Sequence, residues 1–366
     1  MSTLKVNKLR DTAGSADAIV LDPNGGAVLA GVTTVTNVKV GAAVTISESG
    51  IEATGVGITC ANINGTQIGG RRNFFINGAM QVHQRAADIT ASGTYCMDRW
   101  WLAHNGTTTM ARDTTVPSGE GFDYSIKLSN ISGGDAAIGQ PIELTAAGKQ
   151  GGLASGKKIT FSFYAKCDSG TDGITVICNF REGKYSSTNQ VSFTGSGSGV
   201  TLTTTWTRHI VTMTIPTCHS GSTMVAFEMG GISGTSYFTG FQAELGDQAT
   251  PFEHRSFGEE LALCMRYFEK VVCHSFPMAP AGNNGINSET RIPYKVRKRA
   301  APTVTKDGNL SLTLNGTNSN NTDHSLGGGN TTAALYGIHV FAVISGASYT
   351  ASTMVNNATF LCDCEL

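Results

Sequence analysis

Several residue groups in this chain have types and spacings that invite chemistry. Cys362-Asp363-Cys364 puts two thiols on one face of any strand, and Cys218-His219 adds another soft pair. Tetrahedral zinc takes four ligands, usually as two close pairs. No Cys-x₂-Cys occurs anywhere, so the thiols are read as small buried hydrophobes. Neither a metal centre nor any other cofactor is expected. The run Gly151-Gly152-Leu153-Ala154-Ser155-Gly156-Lys157 comes close to a phosphate-cradling loop, but Lys158 stands where Mg²⁺ needs a hydroxyl. A strand pattern follows it instead of a helix N-terminus, so it is read as a hairpin loop. Glycoside cleavage requires two carboxylates at a set separation. Asp88, Asp98, Glu143, Glu228 and Glu244 are available, but Asp98 beside Arg99 reads as a structural ion pair. No Ser-His-Asp pattern and no β-helix repeat stands out. The expectation is a protein that binds and does not turn over.

Saccharide binding needs aromatic faces beside planar polar side chains. Trp100 and Trp101 are neighbours, so on a strand they point to opposite faces. One belongs to a core; the other is either an exposed platform or a filler beneath a loop. Trp206 starts a strand and is expected to be buried, whereas Tyr185, in the loop 182–189, is expected to be exposed. Tyr294 lies in a basic stretch, where alternation would gather Lys295, Arg297 and Arg299 on one face. That face is either a patch for acidic polysaccharide or a solvated strand surface. The Asn-rich loops 315–323 and 327–332 are further candidates, since loops on a rigid scaffold usually carry recognition.

Composition narrows the partners. The 366 residues carry 26 Lys+Arg against 27 Asp+Glu, a net charge of -1. No general pull toward phosphate backbones follows, so nucleic acid is not an expected partner. With 40% hydrophobic residues the chain can bury a core, and it holds no apolar run long enough for a transmembrane helix. Nine scattered cysteines and a start without a secretory pattern suggest folding in a reducing cytosol.

Residues 1–73 contain no Phe, Trp, Tyr or His, and the first aromatic is Phe74. Val35, Val38, Val40, Val44, Ile46 and Ile58 form a thin β-branched stripe interrupted by glycines. Such a stripe cannot fill a wide interior. Three copies around an axis would cover one another's stripes, giving a slender trimeric β-rich stalk over 32–72. The alternative is a flexible extension. Residues 1–31 alternate less clearly and read as a docking segment.

From residue 73 the pattern changes. Short Val/Ile/Thr/Phe-rich runs recur at 107–111, 124–128, 158–166, 174–180, 207–215, 223–229 and 237–245. Strands at such spacing without helical interludes predict an all-β antiparallel sandwich of jelly-roll type over 73–255. Within it the run 159–165 alternates as a half-buried strand. Ser256 and Glu259 have capping-box spacing, and Phe257, Leu261, Cys264 and Phe268 make one apolar stripe, predicting a short connecting helix over 256–270. Residues 271–366 read as a small C-terminal β domain with strands at 310–314 and 338–343 and polar loops, among them 283–289.

The run Arg72-Asn73-Phe74-Phe75-Ile76-Asn77-Gly78-Ala79-Met80-Gln81-Val82, with Gln84-Arg85 and Asp98-Arg99-Trp100, resembles the opening of a jelly-roll module found in bacteriophage tail fibres. Gly240-Phe241-Gln242-Ala243-Glu244-Leu245-Gly246 is similar to its last strand. Cys264-Met265-Arg266-Tyr267-Phe268 resembles the CxRYY helix of these proteins, with Phe268 where a second Tyr is usual, and 299–305 is similar to a strand that commonly follows it. Leu4-Lys5-Val6-Asn7-Lys8-Leu9 is similar to virion-attachment segments of marine phage fibres. The resemblance implies a homotrimer on the virion, assembled in the host cytoplasm. Its N-terminus would be held by a phage tail protein, and its body would bind a host-surface glycan or outer-membrane receptor. It also implies that Trp100 is the core member of its pair. A glycan depolymerase tailspike and a structural head fibre or decoration protein are the competing readings.

Overall fold

A computed structural model of the protein describes residues 72–143, 156–181, 199–214, 224–273, 285–307, 336–345 and 358–365, with the backbone of the shorter strands named below. The chain forms two compact units, Met1–Ala61 and Asn62–Leu366.

Among the described residues the first unit holds six short strands in two antiparallel meanders. One runs β1 (Lys8–Arg10), β2 (Asp17–Leu21), β3 (Ala27–Leu29), the other β4 (Asn37–Val40), β5 (Val44–Ser47), β6 (Gly50–Ala53). Val38 pairs with Ile46 and Val40 with Val44 across β4 and β5, so these four residues lie on paired strands. Val35 and Ile58 lie outside the described residues.

The second unit opens with a sandwich. Its strands are β7 (Thr94–Tyr95), β8 (Trp101–His104), β9 (Thr107–Asp113), β10 (Ser125–Ser132), β11 (Ala136–Glu143), β12 (Lys158–Cys167), β13 (Asp172–Arg181), β14 (Gln190–Phe193), β15 (Gly199–Leu202), β16 (Thr207–Thr214), β17 (Met224–Ile232) and β18 (Ser236–Leu245). One antiparallel sheet has the order β16-β12-β18-β10-β9. The other has β14-β13-β17-β11-β8-β7, with β15 also on β13. From β10 to β13 and again from β16 to β18 the chain alternates between the sheets, as an all-β jelly roll does. Between them lies an aromatic core. Phe75 sits 4.8 Å from Phe227, and Trp100 sits 4.2 Å from Phe241, centroid to centroid.

Two strands depart from the sequence pattern for physical reasons. In β12, Ile159, Phe161, Phe163 and Ala165 face the core as alternation predicts, but Thr160 and Ser162 are buried as well. The chain beyond β18 covers them: Thr160 Oγ1 donates to the Gly246 carbonyl at 2.8 Å, and Arg208 links Ser162 to the Thr250 carbonyl. The strand is covered on both faces, not half-buried. β11 was hidden by Gly139 and Pro141, residues that argue against a central strand. It is tolerated because β8 pairs with it only as far as Gly139 opposite Trp101.

The helix α1 (Phe257–Met265) begins at Ser256, whose side chain accepts the Glu259 N–H. It stops earlier than the stripe suggests. Phe268 already belongs to β19 (Phe268–Cys273), and Phe257 is 56% exposed. The strands that follow are β20 (Met278–Ala281), β21 (Gly285–Pro293), β22 (Thr303–Asp307), β23 (Ser311–Leu314), β24 (Thr317–Ser319), β25 (Gly337–Ser345), β26 (Met354–Asn356) and β27 (Ala358–Asp363). They form three small sheets, β19-β27-β22, β20-β21-β25 and β24-β23-β26. The polar stretch expected as a loop at 283–289 falls largely in β21, because β20 and β25 pair with it on both sides. Residues 327–332 lie outside the described residues.

Candidate functional site

A cleft of about 490 Å³ lies where the segment leading into the sandwich, the β9–β10 hairpin and the first turns of α1 converge. Gln81, Val82, His83, Gln84, Arg112, Asp123, Tyr124, Phe257 and Leu261 line it. Asn77 fixes two of its walls. Its backbone, at a φ of 60° that asparagine tolerates better than most residues, donates N–H to Glu260 on α1. Its side chain accepts the Val82 N–H at 2.9 Å and donates to the Val82 carbonyl at 2.8 Å. Glu260 in turn faces Arg255 at 3.4 Å, which explains a buried carboxylate on a short helix.

Asp98 secures the next residues. It accepts the Gln84 N–H at 2.7 Å and the Gln84 side-chain amide at 2.7 Å, and it lies 3.8 Å from Arg85. Burial pushes its carboxyl up, against the pull of Arg85 and the Gln84 bonds. The expected Asp98–Arg99 pair does not form. Arg99 is directed instead to Glu365 and to the Pro141 carbonyl.

The cleft's chemistry is mixed. Phe257 and Leu261, one helical turn apart, give an apolar wall, and the Phe257 ring is largely exposed. Opposite in character, the Arg112 guanidinium lies 4.1 Å over the Tyr124 ring, a cation–π contact. Asp123 is exposed, and Gln81 is half-buried. His83 is lowered from its ordinary value by burial and then by Arg112, so it is neutral near pH 7. Its Nε2 lies 3.8 Å from the Cys96 thiol, which burial pushes up to about 12 and keeps protonated. An exposed ring beside a guanidinium, a carboxylate and an amide can stack on a sugar face and bond its hydroxyls.

A second hollow of about 620 Å³ lies along β19, β27 and β22. Its cations are already engaged: Arg85 meets Asp363 at 3.1 Å, and Lys270 meets Asp307 at 3.5 Å. Arg85 also covers the Phe268 ring at 3.8 Å, removing that face from use.

The residues singled out from sequence lie elsewhere. Trp101 is 2% exposed, so of its two readings it is the filler. Its ring fills the space beside Gly139, where an added Cβ would come within 2.7 Å of it. Tyr294 is buried, with Lys298 4.5 Å over its ring, and presents no platform. The segment after it does not alternate, because β21 ends at Pro293 and the chain turns. Lys295 and Arg297 are exposed, and Arg297 lies 5.4 Å over Tyr336. Arg299 instead donates to the Cys364 carbonyl at 3.1 Å. Trp206 is half-buried, edge-on to Tyr237 at 6.5 Å. Tyr185 lies outside the described residues. Sequence reasoning missed Arg112, Asp123 and Tyr124, and it read Phe257 as helix packing. Gln81 and Gln84 were in view only as part of the resemblance.

No family model matches the chain, and no curated protein does. Solved structures with a similar fold include the enzymatically active domain of tailspike protein 4 from bacteriophage CBA120, at 17% identity and TM-score 0.33, over 47% of this chain and 21% of that one. The CBM22-1 xylan-binding domain of Paenibacillus barcinonensis Xyn10C is similar at 13% identity and TM-score 0.29, over 45% of this chain and 96% of that one. A putative sugar binding protein from Bacteroides thetaiotaomicron VPI-5482 gives 13% identity and TM-score 0.33, over 48% and 100%. This chain thus spans about a fifth of the tailspike domain. The likenesses are distant, and the sandwich rests on its own strand pairing.

Proposed function

We propose that this chain is a homotrimeric bacteriophage tail fibre that attaches the virion to a host-surface glycan by multivalent, non-covalent binding. The observation that carries the glycan reading is the cleft at α1, where the exposed Phe257 ring stands beside Arg112, Asp123 and Gln81 on a rigid sandwich. The fibre reading draws its support from the residues at 72–100 and 240–268 that resemble tail-fibre modules. Residues 1–31 would dock on the tail, 32–72 would form the stalk, and 271–366 would form the tip. Three weak sites at fixed spacing gain avidity through effective concentration, so single-site affinity need not be high. Asp123 is the one carboxylate among the described residues lining the cleft, whereas glycoside hydrolysis takes two. That favours binding over turnover.

Light scattering on the full chain tests the assembly. A particle about three times 38.3 kDa is expected, and a particle of single-chain mass would remove the trimer. A screen of immobilised bacterial polysaccharides tests the ligand class, with Phe257→Ala as the control that should lose binding.

A further inference from the structure

We propose that the cleft at α1 selects a carboxylate-bearing saccharide, with the Arg112 guanidinium receiving the acid; this rests on the glycan-binding reading of the same cleft. Arg112 is the one Lys or Arg among the described residues that line it. Four other arginines of this unit are neutralised within the fold: Arg85 by Asp363, Arg99 by Glu365, Arg255 by Glu260 and Arg266 by Glu143. Among the described residues no carboxylate lies within ion-pairing distance of Arg112, although Asp123 lines the same cleft. Its guanidinium is held against Tyr124, which spares a ligand much of the cost of ordering a long side chain.

A planar guanidinium fork matches a planar carboxylate through two parallel N–H···O bonds. The local charge balance sets the valence. One cation with Asp123 nearby suits a single negative charge and disfavours the dianion of a phosphate monoester. His83 is neutral at pH 7 and adds no second positive charge there. Phe257 supplies the apolar surface for the CH face of a pyranose ring, and Asp123 is an acceptor for sugar hydroxyls. The ligand that satisfies all of these at once is a uronic acid or a sugar of like charge.

Calorimetry on the full-length chain tests this with tetragalacturonate, tetramannuronate and a hyaluronan tetramer, each beside its carboxyl-reduced counterpart. At least one acidic tetramer is expected to bind about tenfold more tightly than its reduced form, the factor equivalent to ~1.4 kcal/mol. The preference should vanish in Arg112→Gln. Equal affinity for every acidic and reduced pair overturns the acid preference and leaves the glycan reading standing. Binding of none of the probes counts against both. If Arg112→Gln does not fold, the exposed Asp123→Asn variant decides: removing the neighbouring negative charge should tighten acidic tetramers more than reduced ones, and no differential change overturns the proposal.

Discussion

Arg99 and Glu365 stand 266 positions apart in sequence and form a buried ion pair, the two side chains 1% and 2% exposed. Arg99 adopts a φ of 73° just before Trp100, and its guanidinium lies 3.5 Å over the Tyr267 ring. Burial alone would lower the guanidinium's affinity for its proton, but Glu365 together with Tyr267 and Tyr95 outweighs it and the affinity is raised. The pair therefore ties the residues after β27 to the first core turn of the sandwich. Arg85 reinforces it through Asp363 at 3.1 Å.

Removing one partner strands a buried charge. Glu365→Leu or Arg99→Met is expected to cost about 3–5 kcal/mol, because the surviving ion keeps its desolvation penalty. The double variant Arg99→Met/Glu365→Leu should recover much of that loss. Urea denaturation of the three variants checks it, and additive losses in the double variant would show that the two groups act independently.

Gly139 gives a prediction from packing. An added Cβ would lie 2.3 Å from the Phe227 carbonyl oxygen and 2.7 Å from the Trp101 ring, both closer than any real contact. Neither neighbour can give way cheaply, since one is ladder backbone and the other a buried indole. Gly139→Ala is expected to destabilise the unit by about 1–3 kcal/mol or more, as overpacking does. Trp101→Phe should partly restore the alanine variant. A thermal melt of both variants reads this directly.

The sandwich was legible in the sequence because its strands carry the period-2 pattern that a two-layer β fold requires. Residues 107–111, 158–166, 174–180 and 237–245 fall within β9, β12, β13 and β18. β11 was not, since Gly139 and Pro141 break that pattern and only the limited reach of β8 permits them. The candidate cleft was less visible. Arg112, Asp123 and Phe257 come from three separate elements, and no spacing in the chain announces their meeting. The bright sequence signals, Trp101 and Tyr294, turned out to be buried, because large aromatic rings fill cores at least as readily as they line sites.

His209 sets an acid limit on stability. It packs 5.5 Å from the Phe163 ring, its buried Nε2 has no partner among the described residues, and burial lowers its affinity for a proton below the ordinary 6.5. Above 6.5 the folded and unfolded chains both keep it neutral and nothing is lost. As pH falls below 6.5 the unfolded chain takes a proton that the fold resists, so stability drops until the folded value is passed. His83, lowered by burial and then by Arg112, acts in the same direction. The denaturation midpoint should decline from pH 7 to 5, and the decline should be shallower in His209→Gln. An unchanged slope would assign the acid limit to other groups.

Phe257 is the sharpest test of what the cleft is for. A ring 56% exposed at the first helical position contributes little to the core, so Phe257→Ala should leave the melting temperature nearly unchanged. Aromatic contacts with a ligand are worth ~0.5–1.5 kcal/mol beyond area, so affinity for a bound saccharide should fall several-fold to tenfold. Ser256→Ala separates support from contact. It removes the side chain that accepts the Glu259 N–H, at a cost of about 1 kcal/mol in stability, while leaving the ring in place. If Ser256→Ala weakened binding as much as Phe257→Ala, the ring would matter only through the helix that carries it. A larger effect for Phe257→Ala, with stability intact, makes the ring itself the surface on which a sugar rests.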